Sequence, residues 1–228
     1  TSKTLTHLNA HLEKYKDLLS FLISKDNEQL KALDVIKKFW AGSNFHTILY
    51  IGQLETYKII GYKNIVNWVF KEIEKEEDSS NNFKLYWDVL FSIIQKVLGR
   101  SDLAKIELKK VRICNEGLDL GTKKGLAEEI AKSEEAVEAA KEDEQALFTL
   151  VFKVLLLLYY KNIENSSFAS ETFKNNSAYQ NGVIQRLIQI ARKYRKDLEP
   201  LLSKIEDDFL KLEIPEVQKA FINLKHLK

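Results

Sequence analysis

The chain has 228 residues, a formal net charge of +2 from 35 basic and 33 acidic side chains, and only two prolines and eight glycines. Proline and glycine are both unfavourable inside helices, so their scarcity predicts a protein that is helical nearly throughout. Interspersed charges of both signs are typical of a solvated surface and not of a basic nucleic-acid groove. The single cysteine, Cys114, excludes an internal disulfide and favours a reducing compartment.

The start of the chain and its most apolar stretch show neither the pattern of a signal peptide nor that of a membrane span. The chain starts at Thr1 without a methionine, so we expect a piece of a longer or processed protein. No signal peptide opens it. The most apolar stretch is interrupted by Lys153 and preceded by acidic residues, which argues against a membrane span.

Apolar residues at helical spacing predict four short helices in the first third of the chain. We expect Asp26 to cap the second helix in a capping box with Gln29, and Ser43 to cap the third. We expect the second helix to end at Gly42 and the third at Gly61. The predicted ranges are 4–24, 26–42, 43–61 and 64–73. Short turns between them favour antiparallel helix pairs.

Residues 64–70 form an apolar, aromatic run. It begins with Asn64 and contains a second amide, Asn67, directly before Trp68. An unsatisfied amide in such a run costs roughly 1–3 kcal/mol. We therefore interpret Asn67 as a buried side chain that ties one helix end to its neighbour. The predicted structural core comprises Trp40, Asn67, Trp68, Phe70 and Trp87.

The middle of the chain predicts an antiparallel coiled-coil hairpin. A helix starting near Asn82 continues to a polar, glycine-containing turn at 115–125, and a second helix follows. Apolar residues alternate at spacings of 3 and 4, which is the heptad pattern. The expected hairpin covers 101–145 and projects from the body. Its predicted seam residues are Leu103, Ile106, Ile113, Leu126, Ile130 and Val137.

The remainder predicts a polar loop at 162–176, a helix lined by Val183, Leu187, Ile190 and Tyr194, and further helices at 201–212 and from Pro215 to Leu227. The expected fold is all-α: a single domain over 1–228, an α-solenoid of antiparallel, HEAT-like helix pairs with a projecting hairpin. No fixed-period repeat occurs, which argues against a tetratricopeptide array.

No catalytic, cofactor or metal motif is recognisable. His7 and His11 have the i, i+4 spacing of metal pairs, but no third ligand is evident. We therefore predict a protein that is not an enzyme and has no cofactor. One basic helix face is a candidate contact for RNA or an acidic partner, and the alternative is a solvated face. Its residues are Arg186, Arg192, Lys193, Arg195 and Lys196.

Several short motifs resemble the C-terminal helical domain of the large subunit of the nuclear cap-binding complex. The likeness covers nearly the whole chain in element order and is poorest after Asn162. The matching stretches are Thr4 to His7, Leu33 to Trp40, Val66 to Phe70, Trp87 to Leu90 with Ser92 to Ile94, and Glu144 to Phe152.

This resemblance implies a helical-repeat domain of the initiation-factor-4G middle-domain type, the last of three in its family. The family's large subunit supports a small RNA-recognition-motif subunit, which binds the 7-methylguanosine cap. The implied partners are that subunit, capped RNA through it, and preceding helical domains of the full-length chain. The implied setting is the nucleus, with shuttling to the cytoplasm, in splicing, RNA export and nonsense-mediated decay.

Two other functions remain open from the residues alone. One is a different middle-domain scaffold that docks an RNA helicase. The other is a helical enzyme, which would need a polar pocket with convergent titratable groups.

Overall fold

The structure is a computed structural model that describes residues 5–75, 81–116, 123–166, 182, 185–186 and 188–199. Within these ranges, the side chains described leave out residues 81–82, 115–116, 123–126, 156–157 and 159–166. The described residues form helices and turns without a strand, so the prediction of an all-α fold is confirmed. The predicted helices at 201–212 and from Pro215 lie outside the described residues.

Six helices follow one another along the chain. The first four are short, and short turns join them. The last two are long. Their bounds are α1 Leu5–Leu22, α2 Asp26–Phe39, α3 Asn44–Thr56, α4 Tyr62–Ile73, α5 Asn81–Glu116 and α6 Lys123–Ser166.

The contacts divide the chain into two compact units, Thr1–Leu147 and Phe148–Lys228, with the boundary inside α6. The sequence predicts one domain over 1–228, and the two units are described separately below. In the first unit, α5 packs against α3 and α4, and α2 also packs against α3 and α4. Its core contains fully buried residues from each of these helices: Leu33, Ile51, Ile65, Trp68, Phe70, Tyr86, Trp87, Leu90, Ile93 and Ile94.

The helix ends agree with the predicted ones in part. The cap of α2 is Lys25, whose N–H donates to Glu28 Oε2 at 3.1 Å, so Asp26 and Gln29 do not form the predicted capping box. Ser43 does cap α3. Helix α3 ends at Thr56 and not at Gly61, because Lys58 adopts φ 55° and turns the chain.

The turn after α3 has a packing role. Ile59 and Ile60 donate their N–H groups to the carbonyl of Leu54, at 2.9 and 3.3 Å, and both side chains are buried. A non-glycine residue with positive φ, such as Lys58, costs roughly 1 kcal/mol or more. Burial of two isoleucines offsets this cost.

The hairpin of α5 and α6 uses a different face of α5 from the one predicted. Leu103, Ile106 and Ile113 are 66, 49 and 70% exposed, so their assignment to the seam is wrong. From residue 101 onward, the described side chains of α5 that are buried or half-buried are Ser101, Ala104, Leu108 and Val111, spaced 3, 4 and 3. These positions continue the face that holds Ile93 and Ile94 in the core, which sets the rotation of the helix.

The predicted face of α6 fits its burial better. Ile130 and Val137 are half-buried, as are Ser133 and Ala140. Arg112 Nη2 lies 2.6 Å from Glu134 Oε1, and this ion pair joins α5 to α6. The side chain of Leu126 lies outside the described residues.

In the second unit, α6 continues with a buried apolar face formed by Phe148, Val151, Phe152, Leu155 and Leu158. It extends to Ser166, so residues 162–166 of the predicted loop are helical, and 167–176 lie outside the described residues. Residues 188–193 and 195–199 are helical around a turn at Tyr194. The rings of Phe148 and Tyr194 lie 5.8 Å apart.

Candidate functional site

A polar cluster joins α2, α4 and α5 inside the first unit. We call Lys37, Glu72, Lys75 and Tyr86 the Glu72 cluster. Lys37 Nζ lies 2.8 Å from Glu72 Oε2 and also donates to the hydroxyl of Tyr86. The Tyr86 hydroxyl donates to Glu72 Oε2 at 3.2 Å, and Lys75 pairs with Glu72 Oε1. The nearly buried carboxylate of Glu72 is therefore contacted by donors from α2, from α5 and from the residues just after α4.

Hydrogen bonds hold the charges of this cluster in place. Burial alone would raise the pKa of Glu72, but the hydrogen bonds from Lys37 and Lys75 outweigh it and lower the pKa. Burial alone would lower the pKa of Lys37, but its hydrogen bonds to Glu72 and Tyr86 raise it. Both shifts favour the ion pair, which is what a structural bridge needs.

Two further bridges join α2 to α4. Trp68 Nε1 donates to Asp34 Oδ1 at 2.8 Å. Asn64 Nδ2 donates to Asp26 Oδ1 at 2.9 Å and to Gln29 Oε1 at 2.8 Å. Gln29 Oε1 also accepts the N–H of Gly61 at 3.0 Å, at the start of α4.

Asn67 is exposed, so its assignment to the core is wrong. The buried positions of α4 are 62, 65, 66, 68, 69, 70, 72 and 73, and helical geometry places 67 on the outward face with Lys63 and Lys71. The amide that ties α4 to its neighbour is Asn64. Trp68, Phe70 and Trp87 are all nearly fully buried.

A second polar cluster, which we call the Glu55 cluster, joins α3 to α5 through Glu55, Thr56, Lys96 and Arg100. Arg100 Nη1 lies 2.5 Å from Oε1 of the buried Glu55, and Lys96 Nζ donates to Thr56 Oγ1 at 2.7 Å. Burial is the main cause that lowers the pKa of Lys96. The neighbouring Gly52 leaves room for this lysine, because a Cβ there would lie 2.8 Å from Lys96 Cε.

The same region holds the base of the hairpin. The hydroxyl of Tyr62 on α4 donates to Asp143 Oδ1 on α6 at 3.3 Å. Burial, followed by the nearby Asp143 charge, raises the pKa of Tyr62 to about 12. The phenol therefore keeps its proton and remains a donor at physiological pH. The clusters thus use their titratable groups to hold helices together.

Aromatic side chains gather at the turn between α2 and α3. Trp40 is half-buried, so its assignment to the core is wrong: its ring stacks on His46 with centroids 4.4 Å apart. Phe39 and Phe45 pack edge-on against this pair and are 75 and 69% exposed. A base sandwiched between two rings needs a gap of its own thickness. The direct contact of Trp40 with His46 leaves no such gap.

The predicted basic face is brought together only in part. Arg186, Arg192 and Lys193 line an open groove of about 740 Å³ in the second unit, with Gly182, Gln185, Ile188 and Gln189 as the other described lining residues. Arg195 and Lys196 are exposed but do not line it. Arg186 Nη1 donates to Gln189 Oε1 at 2.9 Å.

The described residues offer no metal site. His7 and His11 are exposed on α1, and the described residues contain no group of three His, Cys, Asp or Glu that could hold a metal ion. None of the described helices combines the length and apolar character needed to cross a membrane.

Sequence reasoning missed both polar clusters. The partners of Glu72 and Glu55 lie 35 and 45 residues away along the chain, in Lys37 and Arg100. Each residue by itself resembles an ordinary charge on a helix. The one available signal was an acidic residue at a position where the helical period predicts burial.

Comparison with known proteins places the chain in a family. The family model described as MIF4G like matches residues 1–199. Proteins named nuclear cap-binding protein subunit 1 are similar to the chain. The one from Xenopus tropicalis is 22% identical over 220 residues, which is 90% of this chain and 27% of that protein.

The human protein of that name is 23% identical over 226 residues, covering 91% of this chain and 28% of its own length. The Arabidopsis thaliana protein is 29% identical over 105 residues, 46% of this chain and 12% of its own length. The chain thus spans little more than a quarter of the vertebrate relatives. With its all-α architecture and a family match over residues 1–199, the chain belongs to the MIF4G-like family.

Proposed function

We propose that the chain is a scaffold domain of a nuclear cap-binding complex. The observation that carries this proposal is the similarity over 90% of the chain to proteins named nuclear cap-binding protein subunit 1. Family membership supports a scaffold role. The two polar clusters support it as well, because they hold neighbouring helices in one fixed arrangement. The domain acts in the nucleus and shuttles to the cytoplasm, in splicing, RNA export and nonsense-mediated decay.

The partner in this proposal is a small subunit with an RNA-recognition motif, and that subunit contacts the 7-methylguanosine cap. The scaffold orders the small subunit and performs no catalysis. Cap recognition needs a gap between two aromatic planes, and the described aromatic pairs contact each other directly, with ring centroids 4.4–6.3 Å apart. Arg186, Arg192 and Lys193 are the candidate contact of the scaffold with RNA or with an acidic partner surface.

Fluorescence titration with a cap analogue tests this division of roles. The isolated chain should show no saturable quenching at micromolar concentrations of the analogue. The chain together with the preceding domains and the small subunit should bind it, with preference for methylated over unmethylated guanine nucleotide. Saturable, methylation-dependent binding by the chain alone would contradict the proposal.

A pull-down with two defined partners tests the scaffold itself. The immobilised 228-residue chain should retain a purified small cap-binding subunit. It should not retain a purified RNA helicase of the type that binds translation-factor middle domains. Retention of the helicase alone would favour the other scaffold function.

A further inference from the structure

Helix α5 carries a second heptad face, and this face is exposed. We call Leu103, Ile106, Lys110 and Ile113 the outer stripe. Their spacing of 3, 4 and 3 places all four on one side of α5. The three aliphatic members are 66, 49 and 70% exposed. Large aliphatic side chains aligned in this way form a contiguous apolar surface, which on a monomer marks an interaction site.

The outer stripe cannot be turned inward by rotating α5. The root of the helix is held by the fully buried Leu90, Ile93 and Ile94, and its outer part by the buried Val111 and by the ion pair of Arg112 with Glu134. The buried or half-buried face of α5 carries small residues, Ser101 and Ala104, near the start of the predicted hairpin. The larger heptad residues of α5 therefore remain outside.

The geometry points to a helix as the occupant. Side chains at alternating 3 and 4 spacing fit between the side chains of another helix, as in coiled coils. A loop or a strand would not follow this spacing. We propose that the outer stripe docks an amphipathic helix of a partner protein, with apolar residues at heptad positions and acidic residues beside them.

The excess of positive charge around the outer stripe is the reason to expect acidic residues on the partner helix. From Asp102 to Ile113 the surface carries four cations, namely Lys105, Lys109, Lys110 and Arg112, against two anions, Asp102 and Glu107. Three of these cations are paired: Lys105 with Asp102 at 3.6 Å, Lys110 with Glu107 at 3.3 Å and Arg112 with Glu134 at 2.6 Å. Lys110 lies within the stripe, Lys109 lies beside it, and both are exposed. Within the described part of the chain, Lys109 has no ion-pair partner. An acidic residue on the docked helix would face Lys109, and a second would share Lys110 with the exposed Glu107.

A second copy of this chain is a poorer occupant. A second copy paired stripe against stripe would bring Lys109 and Lys110 of both copies together, which is unfavourable because like charges repel. The outer face of α6 is acidic, but its exposed apolar residues from 127 to 142 are alanines only. It therefore lacks the large side chains that the stripe would receive. The proposal is independent of the small cap-binding subunit.

Two labelled synthetic peptides of three heptads serve as probes. Both have leucine at the two core positions of each heptad, and one has glutamate and the other lysine at the flanking positions. Fluorescence anisotropy with the full chain should show saturable binding of the acidic peptide, with affinity about tenfold or more above that of the basic peptide. Equal affinity for both would overturn the proposal.

Variants locate the binding. Leu103→Ser with Ile113→Ser should weaken binding of the acidic peptide about tenfold or more, since it removes two apolar anchors. The matched control, Val35→Ser with Phe39→Ser, removes exposed apolar residues on α2 and should leave binding unchanged. All substituted residues are exposed, so circular dichroism should report an unchanged fold for both variants.

Binding that survives the Leu103/Ile113 variant would overturn the proposal. So would a concentration-dependent dimer of the wild-type chain in sedimentation that the same variant abolishes, because a second copy would then be the occupant.

Discussion

Trp87 is the residue whose side chain most clearly anchors the contact between α4 and α5. It is 2% exposed, and the rings of Phe70 and Phe83 lie 6.3 and 6.0 Å from it. Truncation of a large aromatic side chain in a packed core costs about 3–5 kcal/mol. In a chain of this size Trp87→Ala should lower the melting temperature by about ten degrees or more.

Calorimetry or circular dichroism measures this shift. The control is Phe39→Ala, which truncates an aromatic side chain that is 75% exposed and should change the melting temperature little. Similar small shifts for both variants would show that Trp87 does not anchor the core.

The two asparagines of α4 give a second comparison at the residue scale. Asn64 donates two hydrogen bonds to α2, whereas Asn67 is exposed. Since a net hydrogen bond contributes about 0.5–1.5 kcal/mol, Asn64→Ala should destabilise the chain by about 1–2 kcal/mol. Asn67→Ala should change stability by less than about 0.5 kcal/mol. Urea unfolding checks both, and a larger cost for Asn67→Ala would show that it is the tie between helices.

Among the helices, the Glu72 cluster makes stability depend on pH. The pKa of Glu72 is lowered from its usual 4.5, so its contribution is present above that value and is lost as pH falls through the lower folded-state pKa. The pKa of Lys37 is raised from its usual 10.5, so its contribution is present below that value and is lost as pH rises through the folded-state pKa.

The corresponding prediction concerns Glu72→Gln. At pH 7 this variant should be about 1–3 kcal/mol less stable than wild type, because hydrogen bonds from two cations lose their charged acceptor. The difference should shrink as pH falls below 4.5. Denaturant unfolding over a pH series measures it, with Glu135→Gln on the exposed face of α6 as control. A difference that stays constant down to low pH would exclude an ion-pair origin.

For the whole molecule, the outer part of the hairpin should be dispensable for folding. Replacing Lys105–Ala140 by a short Gly/Ser link keeps the buried root of α5 and the Tyr62–Asp143 hydrogen bond. Closing the link costs little because loop entropy changes slowly with length. The variant should still melt in one cooperative transition.

A longer replacement, residues 92–140, is the control for this deletion. It removes the buried Ile93, Ile94 and Val97, and should abolish cooperative melting. Loss of cooperativity in the shorter deletion as well would show that the outer hairpin belongs to the folding unit.

The positions and the type of most elements could be predicted from the sequence, because helical periodicity and the scarcity of proline and glycine are local properties. The all-α class, the two long helices α5 and α6 and the cap at Ser43 are predictable in this way. The hairpin with its turn at 115–125 stays a prediction, and residues 117–122 lie outside the described residues. The family could also be predicted from the sequence, because the resemblance depends on the order of short motifs such as Asn67-Trp68. Trp68, Phe70 and Trp87 were correctly placed in apolar runs.

Only the tertiary structure decided which faces are buried. Helix α5 carries two heptad patterns, one through Ser101 and Val111 and one through Leu103 and Ile113, and the second is the more apolar. Periodicity cannot choose between them. The core contacts of Ile93 and Ile94 fix the rotation of the helix, so the face through Ser101 and Val111 is buried or half-buried and the face through Leu103 and Ile113 is exposed.

The candidate site depended on the same kind of information. Asn64 and Asn67 are equivalent as amides, and the pairs Lys37–Glu72 and Arg100–Glu55 join residues far apart in the chain. The sequence by itself determined what each helix can bury and which family the chain resembles. The packing of helices decided which charges pair and which apolar side chains stay exposed, because those outcomes depend on distances between elements that local patterns do not encode.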